Sequence, residues 1–259
     1  MVYITLLSDF GLLDASVAIT RGILLQYLPD ATIVDITHEV APFNKRQGAY
    51  LLGATYQKFP VGTFHICLID IFSGKNPALI VSSYNGHFFL CADNGLLPLA
   101  MQDNELNASL GLQLEKKHSF HDWLHAAGKI IKVTSANTTE TLQLPAFQPT
   151  TLPGKNIVSS ELIECEVIHI DAYGNAVVNF TREMQQQLST NGRQFSMKFI
   201  QYEEIREISQ NYSDVREGYK ICRFNSNGYL EIGINQGNAA ELLGLCIGSR
   251  HNKIQISYK

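Results

Sequence analysis

Short β-rich runs alternate with helical patterns along the first half of the chain, and this alternation constrains the possible folds more than any other feature. The runs VYITLLS, TIVDIT and TFHICLID have the composition of strands, and segments 16–27 and 47–57 between them have helical periodicity. Continuous apolar strands that alternate with helices form mostly parallel sheets covered on both faces. We therefore expect an α/β architecture for this half.

Two further patterns refine that expectation. The segment ALIVSSYNGHFFLCA predicts two strands around Asn85-Gly86, a strong hairpin dipeptide, so the sheet should be mixed. Segment 137–160 is rich in Thr, Pro and Gly and indicates a linker, and short alternating strands follow it at even spacing. We predict a Rossmann-like, three-layer α/β domain with a mostly parallel sheet over residues 1–150, and an antiparallel β-barrel domain over residues 151–259.

Composition narrows the possible partners and compartment. The formal net charge is −4 and the basic residues are scattered, which argues against a nucleic-acid partner. The first apolar stretch ends at Ser8-Asp9, too short for an export signal or a membrane span. The five cysteines have no CxxC spacing and most lie in apolar runs, as buried free thiols do. We predict a cytoplasmic protein without a membrane partner.

Polar residues follow each of the first three predicted strands, where ligands bind in open α/β sheets. In SDFGLLDAS, Asp9 and Asp14 could accept hydrogen bonds from the vicinal hydroxyls of a ribose, or Asp14 or Ser16 could cap the next helix. In DITHEVAPFN, Phe43 could form the wall of a pocket. Asp70 ends an apolar strand, where a carboxylate is costly unless it is paired or hydrated.

Two later groups of polar residues carry further hypotheses. In HSFHDWLH, His121 and His125 would share a helix face and could hold a metal, but a single catalytic histidine is the simpler interpretation, and we expect no metal site. The turns IDAYGN and FNSNGYLEIGINQGNAA gather amides and hydroxyls beyond the needs of turn formation. Asparagine side chains there could bind an adenine edge, since each has a donor and an acceptor.

Taken together and in order, these segments resemble the S-adenosylmethionine hydroxide adenosyltransferases, relatives of the fluorinase and chlorinase. The resemblance is carried by SDFGLLDASV, IVDITHEVAPFN, FPVGTFHICLID, ADNGLL, IDAYGN and NSNGYLEIGINQGNAAELLGL. It implies an N-terminal α/β domain that binds the nucleoside and a C-terminal β-barrel that completes the site of a neighbouring subunit in a homotrimer. It also implies that S-adenosylmethionine is the substrate and that no cofactor is needed.

The resemblance assigns roles position by position. Asp9 and Asp14 would bind the ribose hydroxyls, Ser16 the methionine end, and Phe43 would help to enclose the ligand. In the second domain, the implied ligand-binding residues are Asp171 for the methionine amine, Tyr173 against the ligand, Asn175 on adenine, Tyr212 as a stacking group, and Ser226, Asn235 and Ala239 at other lining positions.

The family's catalytic triad of Asp, Arg and His holds a water or hydroxide that attacks the ribose 5′ carbon and expels methionine. Asp70 and His121 match two members, whereas Pro77 stands at the position of the Arg. Lys75 is a positive charge nearby, although Lys lacks the forked geometry of Arg. Hydrolysis of S-adenosylmethionine to adenosine and methionine is therefore the first hypothesis. The alternative is a non-catalytic adenosine or S-adenosylmethionine binding protein that has lost its triad.

Overall fold

The chain folds into two compact units, Met1–Leu152 (unit 1) and Pro153–Lys259 (unit 2). A computed structural model describes residues 1–136, 144–152, 156–159, 162–189, 194–200, 203–248 and 254–258. Within those ranges, every helix is too short or too polar to cross a lipid bilayer.

Unit 1 is a mixed sheet with helices on both faces. Its strands are β1 (Tyr3–Ser8), β2 (Thr32–Thr37), β3 (Phe64–Leu68), β4 (Ala78–Tyr84), β5 (His87–Ala92), β6 (Ala108–Gln113) and β7 (Ala146–Phe147). Its helices are α1 (Ser16–Tyr27), α2 (Lys45–Thr55), α3 (Leu96–Met101) and α4 (Phe120–Ser135). The sheet order is β2-β1-β3-β5-β4-β6-β7.

The strand directions confirm a mixed sheet that is parallel over most of its width. Strands β1, β2, β3 and β5 pair in parallel, while β4 pairs antiparallel with both β5 and β6, and β7 antiparallel with β6. Strand β6 therefore runs in the direction of β1, and only β4 and β7 run the opposite way among the described strands. The hairpin at Asn85-Gly86 joins β4 to β5 as predicted, with both turn residues at positive φ.

Side chains on the two faces of the sheet belong to two separate hydrophobic clusters. Leu6 packs with α1 and α4, whereas the next residue of β1, Leu7, packs with α2 and α3. Successive residues of a strand point to opposite faces, so the helices form a layer on each side. The single tryptophan, Trp123 of α4, is fully buried in the first of these clusters.

Side-chain caps mark the start of α2 and of α4 but not of α1. Helix α1 begins at Ser16, as predicted. Helix α2 begins two residues before the predicted start because the Asn44 side chain accepts a hydrogen bond from the Gln47 backbone N–H. Helix α4 begins with a capping box between Ser119 and Asp122.

Unit 2 consists of two antiparallel sheets around one hydrophobic cluster. The four-stranded sheet has the order β10-β11-β15-β14, and the five-stranded sheet has the order β13-β12-β16-β9-β8. The strands are β8 (Asn156–Ser159), β9 (Leu162–Cys165), β10 (Val167–Ile170), β11 (Ala176–Thr181), β12 (Phe195–Ile200), β13 (Glu203–Ile205), β14 (Lys220–Phe224), β15 (Tyr229–Ile234) and β16 (Ile254–Tyr258). The helices are α5 (Arg182–Leu188) and α6 (Ala239–Leu242). Closure of these sheets into a barrel stays a prediction.

The interpretation of segment 137–160 as a linker without secondary structure was wrong in part. Strand β7 pairs with β6, and β8 pairs with β9. The two strands are the stretches Ala-Phe and Asn-Ile-Val-Ser, which contain no proline, so each of their residues has a backbone N–H and a carbonyl that can pair with an open sheet edge. Residues 137–143, 153–155 and 160 of this segment lie outside the described residues.

Candidate active and ligand-binding site

A cavity of about 510 Å³ opens in unit 1 where β1, β2 and β3 end. These strands are neighbours and parallel, so the loops that follow them converge at one edge of the sheet. We call it the first cavity. It is lined by Asp9, Phe10, Ser16, Pro42, Phe43, Asp70, Ile71, Phe72 and Phe120.

The Asp9 carboxylate joins the three loops of the first cavity. Its Oδ2 atom accepts hydrogen bonds from the backbone N–H of Phe43 at 2.8 Å and of Asp70 at 3.4 Å. Phe43 and Asp70 have φ angles of 62° and 48°, in the left-handed region that non-glycine residues rarely adopt. Strained backbone of this kind persists where surrounding contacts hold it and is concentrated at functional sites.

A chain of polar side chains centred on the buried His38 supports the Asp9 loop. The imidazole of His38 is buried, with Nδ1 lying 2.7 Å from Ser8 Oγ and Nε2 lying 3.3 Å from Asp35 Oδ1. Asp35 is also paired with the Arg21 guanidinium. The carbonyl of His38 accepts the N–H of Gly11, so the same residue holds the loop at both of its ends.

The Asp70 carboxylate is paired with a lysine that the sequence analysis did not single out. Lys45 Nζ lies 2.9 Å from Asp70 Oδ2, and the two side chains are only 25% and 19% exposed. On the other side of this loop, the Asn94 side-chain amide donates to the carbonyls of Ile69 at 2.8 Å and of Asp70 at 3.4 Å. A carboxylate at the end of an apolar strand is thus paired, as its cost requires.

Not every predicted residue of unit 1 lines the first cavity. Asp9, Ser16, Phe43 and Asp70 lie on its wall, whereas Asp14 and His121 do not. Asp14 is exposed, and its Oδ1 accepts the backbone N–H of Ser16 at 2.8 Å, which lowers the pKa of the Asp14 carboxyl.

His121 is exposed in the first turn of α4, next to Phe120 on the cavity wall. The metal hypothesis has no structural support there. His118 Nδ1 accepts the N–H of Glu115, and His125 Nδ1 lies 3.1 Å from the Tyr27 hydroxyl. Across the described part of the chain, no three His, Cys, Asp or Glu side chains form a group that could hold a metal ion.

Unit 2 contains a larger cavity of about 800 Å³, which we call the second cavity. Six residues predicted from the sequence line it: Asp171, Tyr173, Asn175, Tyr212, Ser226 and Asn235. Ala239, the remaining predicted residue, is fully buried at the start of α6 and does not line the cavity.

A charged network forms part of the wall of the second cavity. Glu231 is 5% exposed; its Oε1 accepts the Tyr212 hydroxyl at 2.7 Å and lies 3.2 Å from Arg223 Nη1. The Arg223 guanidinium also lies over the Tyr212 ring, 5.0 Å from its centre. Burial and, after it, the Glu231 carboxylate raise the pKa of Tyr212 to about 12, so the hydroxyl remains a hydrogen-bond donor at neutral pH.

The Asp171 side chain holds the turn IDAYGN together. Asp171 Oδ1 accepts the backbone N–H groups of Tyr173 and Asn175, and its Oδ2 accepts the Asn175 side-chain amide, each at 2.9 Å. Gly174 has a φ of 81°, and a Cβ added there would lie 1.9 Å from the Asn238 side-chain oxygen. Only glycine therefore fits at this position, and Asp171 sets the orientation of Asn175.

Comparison with known families identifies this pair of domains. Residues 4–138 match the SAM hydroxide adenosyltransferase N-terminal domain, and residues 165–252 match the corresponding C-terminal domain. The chain belongs to the SAM hydroxide adenosyltransferase family. The family resemblance inferred from the sequence is thereby confirmed.

Individual relatives of the family fit this assignment. The chain is 27% identical over 260 residues to the (R)-S-adenosyl-L-methionine hydrolase of Methanocaldococcus jannaschii, covering 93% of this chain and 92% of the relative. It is 42% identical to the fluorinase of Nocardia brasiliensis over 60 residues, which cover 23% of this chain and 20% of the fluorinase. An uncharacterized conserved protein from Thermotoga maritima superposes with a TM-score of 0.79 at 24% identity, covering 98% and 99% of the two chains. That likeness supports the fold.

Lys45, Glu231 and Arg223 were not singled out from the sequence. Lys45 was missed because a lysine in the first turn of a helix does not show, in the sequence, which carboxylate it will pair with. Glu231 could have been found from the sequence, since it is the single charged residue of the strand YLEIGI. Every residue of that strand from Leu230 onward is buried. A charge within such a run needs a partner, and Arg223 on the neighbouring strand provides it.

Proposed function

We propose that this member of the family hydrolyses S-adenosylmethionine to adenosine and L-methionine. The relative from Methanocaldococcus jannaschii, which aligns over nearly the whole chain and is named for this hydrolysis, supports the proposal. The observation that carries it is the Asp70 carboxylate, which lines the same cavity as Asp9 and is held by an ammonium group. A fixed carboxylate in a partly enclosed cavity suits the activation of a water molecule.

The proposed reaction needs a base more than an acid. The water oxygen forms a bond to the ribose 5′ carbon while the carbon–sulfur bond breaks and its electron pair stays on sulfur. Methionine leaves as a neutral thioether, so no group has to protonate it. The proton of the water passes to Asp70 and then to solvent, with His121 as the second catalytic group implied by the family resemblance.

The two cavities suit different parts of the substrate. In the first cavity, Asp9 would bind a ribose hydroxyl, Ser16 the methionine end, and Phe43 would enclose the ligand, with Asp14 binding from its exposed loop. In the second cavity, we assign the methionine amine, adenine and stacking contacts to Asp171, Tyr173, Asn175, Tyr212, Ser226 and Asn235, with Ala239 behind the wall.

The assembly we propose is a homotrimer in which unit 2 of one copy completes the site of its neighbour. Leu12 and Leu13, in the loop after β1, and Tyr173, beside the second cavity, are exposed large apolar side chains, which favours burial against another copy. A ring of three provides three equivalent interfaces. Light scattering should report three chains per particle, and a monomer at micromolar concentration with full ligand affinity would contradict this arrangement.

Product analysis in labelled water tests the proposed function. Incubation with S-adenosylmethionine in H₂¹⁸O should yield equal amounts of adenosine and methionine, with ¹⁸O in the 5′ hydroxyl of adenosine. Asp70→Asn should lower the rate more than about 100-fold, within the range for loss of a general base. Adenosine without label would refute attack at the 5′ carbon. Bound S-adenosylmethionine without product would instead favour the non-catalytic binding protein, the alternative that Pro77 at the family's Arg position suggests.

A further inference from the structure

We propose that Lys45 is the positioning residue for the Asp70 carboxylate, holding its Oδ2 atom so that the carboxylate is oriented to activate the attacking water. The inference rests on the proposed hydrolysis and adds a residue that acts through Asp70. Lys45 is the first residue of α2, and its ammonium reaches across to the loop after β3.

The contact is defined at both ends. Lys45 Nζ lies 2.9 Å from Asp70 Oδ2 and 3.5 Å from Ser73 Oγ, so it contacts the second and the fifth residues of the loop after β3. The base of the lysine is fixed by the Asn44 cap of α2. The carboxylate end is fixed by Asp9 and Asn94, which hydrogen-bond to the backbone on either side of it.

Helix stability does not explain a lysine at this position. The N-terminus of a helix carries a partial positive charge, so a cation in the first turn is unfavourable to the helix itself. No acidic residue lies in the first turn of α2 to offset it. The partner that compensates Lys45 is the Asp70 carboxylate, outside the helix.

An ordinary surface ion pair does not explain the contact either. Such pairs contribute little to stability because water screens them and long side chains lose entropy. This pair is three-quarters or more removed from solvent, and one partner lines the first cavity from a backbone conformation that non-glycine residues rarely adopt. Asp70 has a strained backbone, and Lys45 lies where a cation is unfavourable to its helix. A role in the chemistry of the cavity explains this costly pair better than a role in stability does.

The chemical role follows from the geometry. With Oδ2 of Asp70 held by the ammonium, Oδ1 remains to accept the proton of a water molecule. As that proton leaves, negative charge develops on the water oxygen while the carbon–sulfur bond breaks and the sulfonium becomes a thioether. Because the ammonium fixes the carboxylate before the reaction, the base needs no reorientation as that charge develops.

Charge-removing and charge-keeping variants test the inference in the full-length protein. Lys45→Met should lower kcat for adenosine formation about 30-fold or more, with KM and the calorimetric Kd for adenosine changed less than threefold. Lys45→Arg should recover kcat to within about tenfold of wild type, because it keeps the charge at similar reach. In an Asp70→Asn background, Lys45→Met should have less than a twofold further effect, since residues that act as one unit are not additive. Lys75→Met is the matched control, a lysine from the loop after β3, and should leave kcat unchanged.

The outcomes separate this inference from the function on which it rests. An active wild type with Lys45→Met and Lys45→Gln both within threefold in kcat overturns the role of Lys45 alone. Equal losses of kcat and adenosine affinity, or no recovery with Lys45→Arg in a protein that melts like wild type, also overturn it. A wild type that binds S-adenosylmethionine and makes no adenosine overturns the proposed function, and the role of Lys45 fails with it.

Discussion

Mild acid should destabilise unit 1 through one buried histidine. His65 is the second residue of strand β3, and its ring is fully buried, with Nδ1 2.7 Å from Thr5 Oγ1 and Nε2 3.2 Å from His87 Nδ1. Burial, with a smaller contribution from His87, lowers the pKa of His65 from 6.5 to about 3. The ring is therefore neutral in the folded protein at neutral and mildly acidic pH.

The size of the effect follows from proton linkage. As the pH falls below 6.5, the unfolded chain takes up a proton on His65 and the folded chain does not, so the free energy of unfolding decreases. The stabilisation is complete above pH 6.5 and is lost as the pH falls toward 3. At pH 5, this difference in pKa corresponds to a loss of about 2 kcal/mol.

The single tryptophan makes the measurement specific to unit 1. Trp123 is fully buried there, so its fluorescence in urea reports the unfolding of this unit. Between pH 8 and pH 5, wild type should lose about 2 kcal/mol more than His65→Phe, whatever the absolute cost of the substitution. His125→Gln, at an exposed histidine of the same unit, is the control and should follow wild type. Parallel pH profiles for wild type and His65→Phe would refute the reasoning.

Three further predictions concern the site and its support. Asp14→Asn should weaken adenosine binding more than tenfold, since a charge-assisted hydrogen bond contributes about 1.5–3 kcal/mol; an unchanged calorimetric Kd would leave Asp14 with only its hydrogen bond to the Ser16 backbone. Pro77→Arg and Pro77→Ala should both keep adenosine formation within about threefold of wild type, because Lys45 already pairs with Asp70; a rise with Arg alone would show that the cavity lacks a cation. Gly53→Ala should lower the free energy of unfolding by about 1–3 kcal/mol, because the new Cβ would lie 2.8 Å from a backbone oxygen of α3; unaltered urea unfolding would show that α2 and α3 separate without cost.

Local patterns were enough to predict most of the elements. Strand β2 and helix α1 have the predicted bounds, and the Asn85-Gly86 turn forms the predicted hairpin, because periodicity and turn chemistry act over a few residues. The boundary of α2 was missed because the Asn44 cap competes with hydrophobic periodicity in setting the start of the helix. Strands β7 and β8 were missed because their partners, and not their composition, create them.

The site could be predicted where a residue type has few alternative uses. Asp70, at the end of an apolar run, and the amide-rich turn around Asn175 both line cavities. His121 and Asp14 also stood out in the sequence, yet both are exposed and neither lines the first cavity in the isolated chain. Their proposed roles depend on contacts with a bound ligand, which neither local periodicity nor turn chemistry determines.

The sequence by itself determined the mixed α/β class of unit 1, the antiparallel strands of unit 2 and the family, because hydrophobic periodicity, turn residues and motif order are properties of neighbouring residues. Only the tertiary structure decided which cation lies on Asp70. Lys45 and Asp70 are 25 residues apart, in the segments that follow two strands of one sheet, and they meet because the carboxyl ends of those strands share an edge. Lys75, only five positions from Asp70 in sequence, was the cation that proximity along the chain suggested.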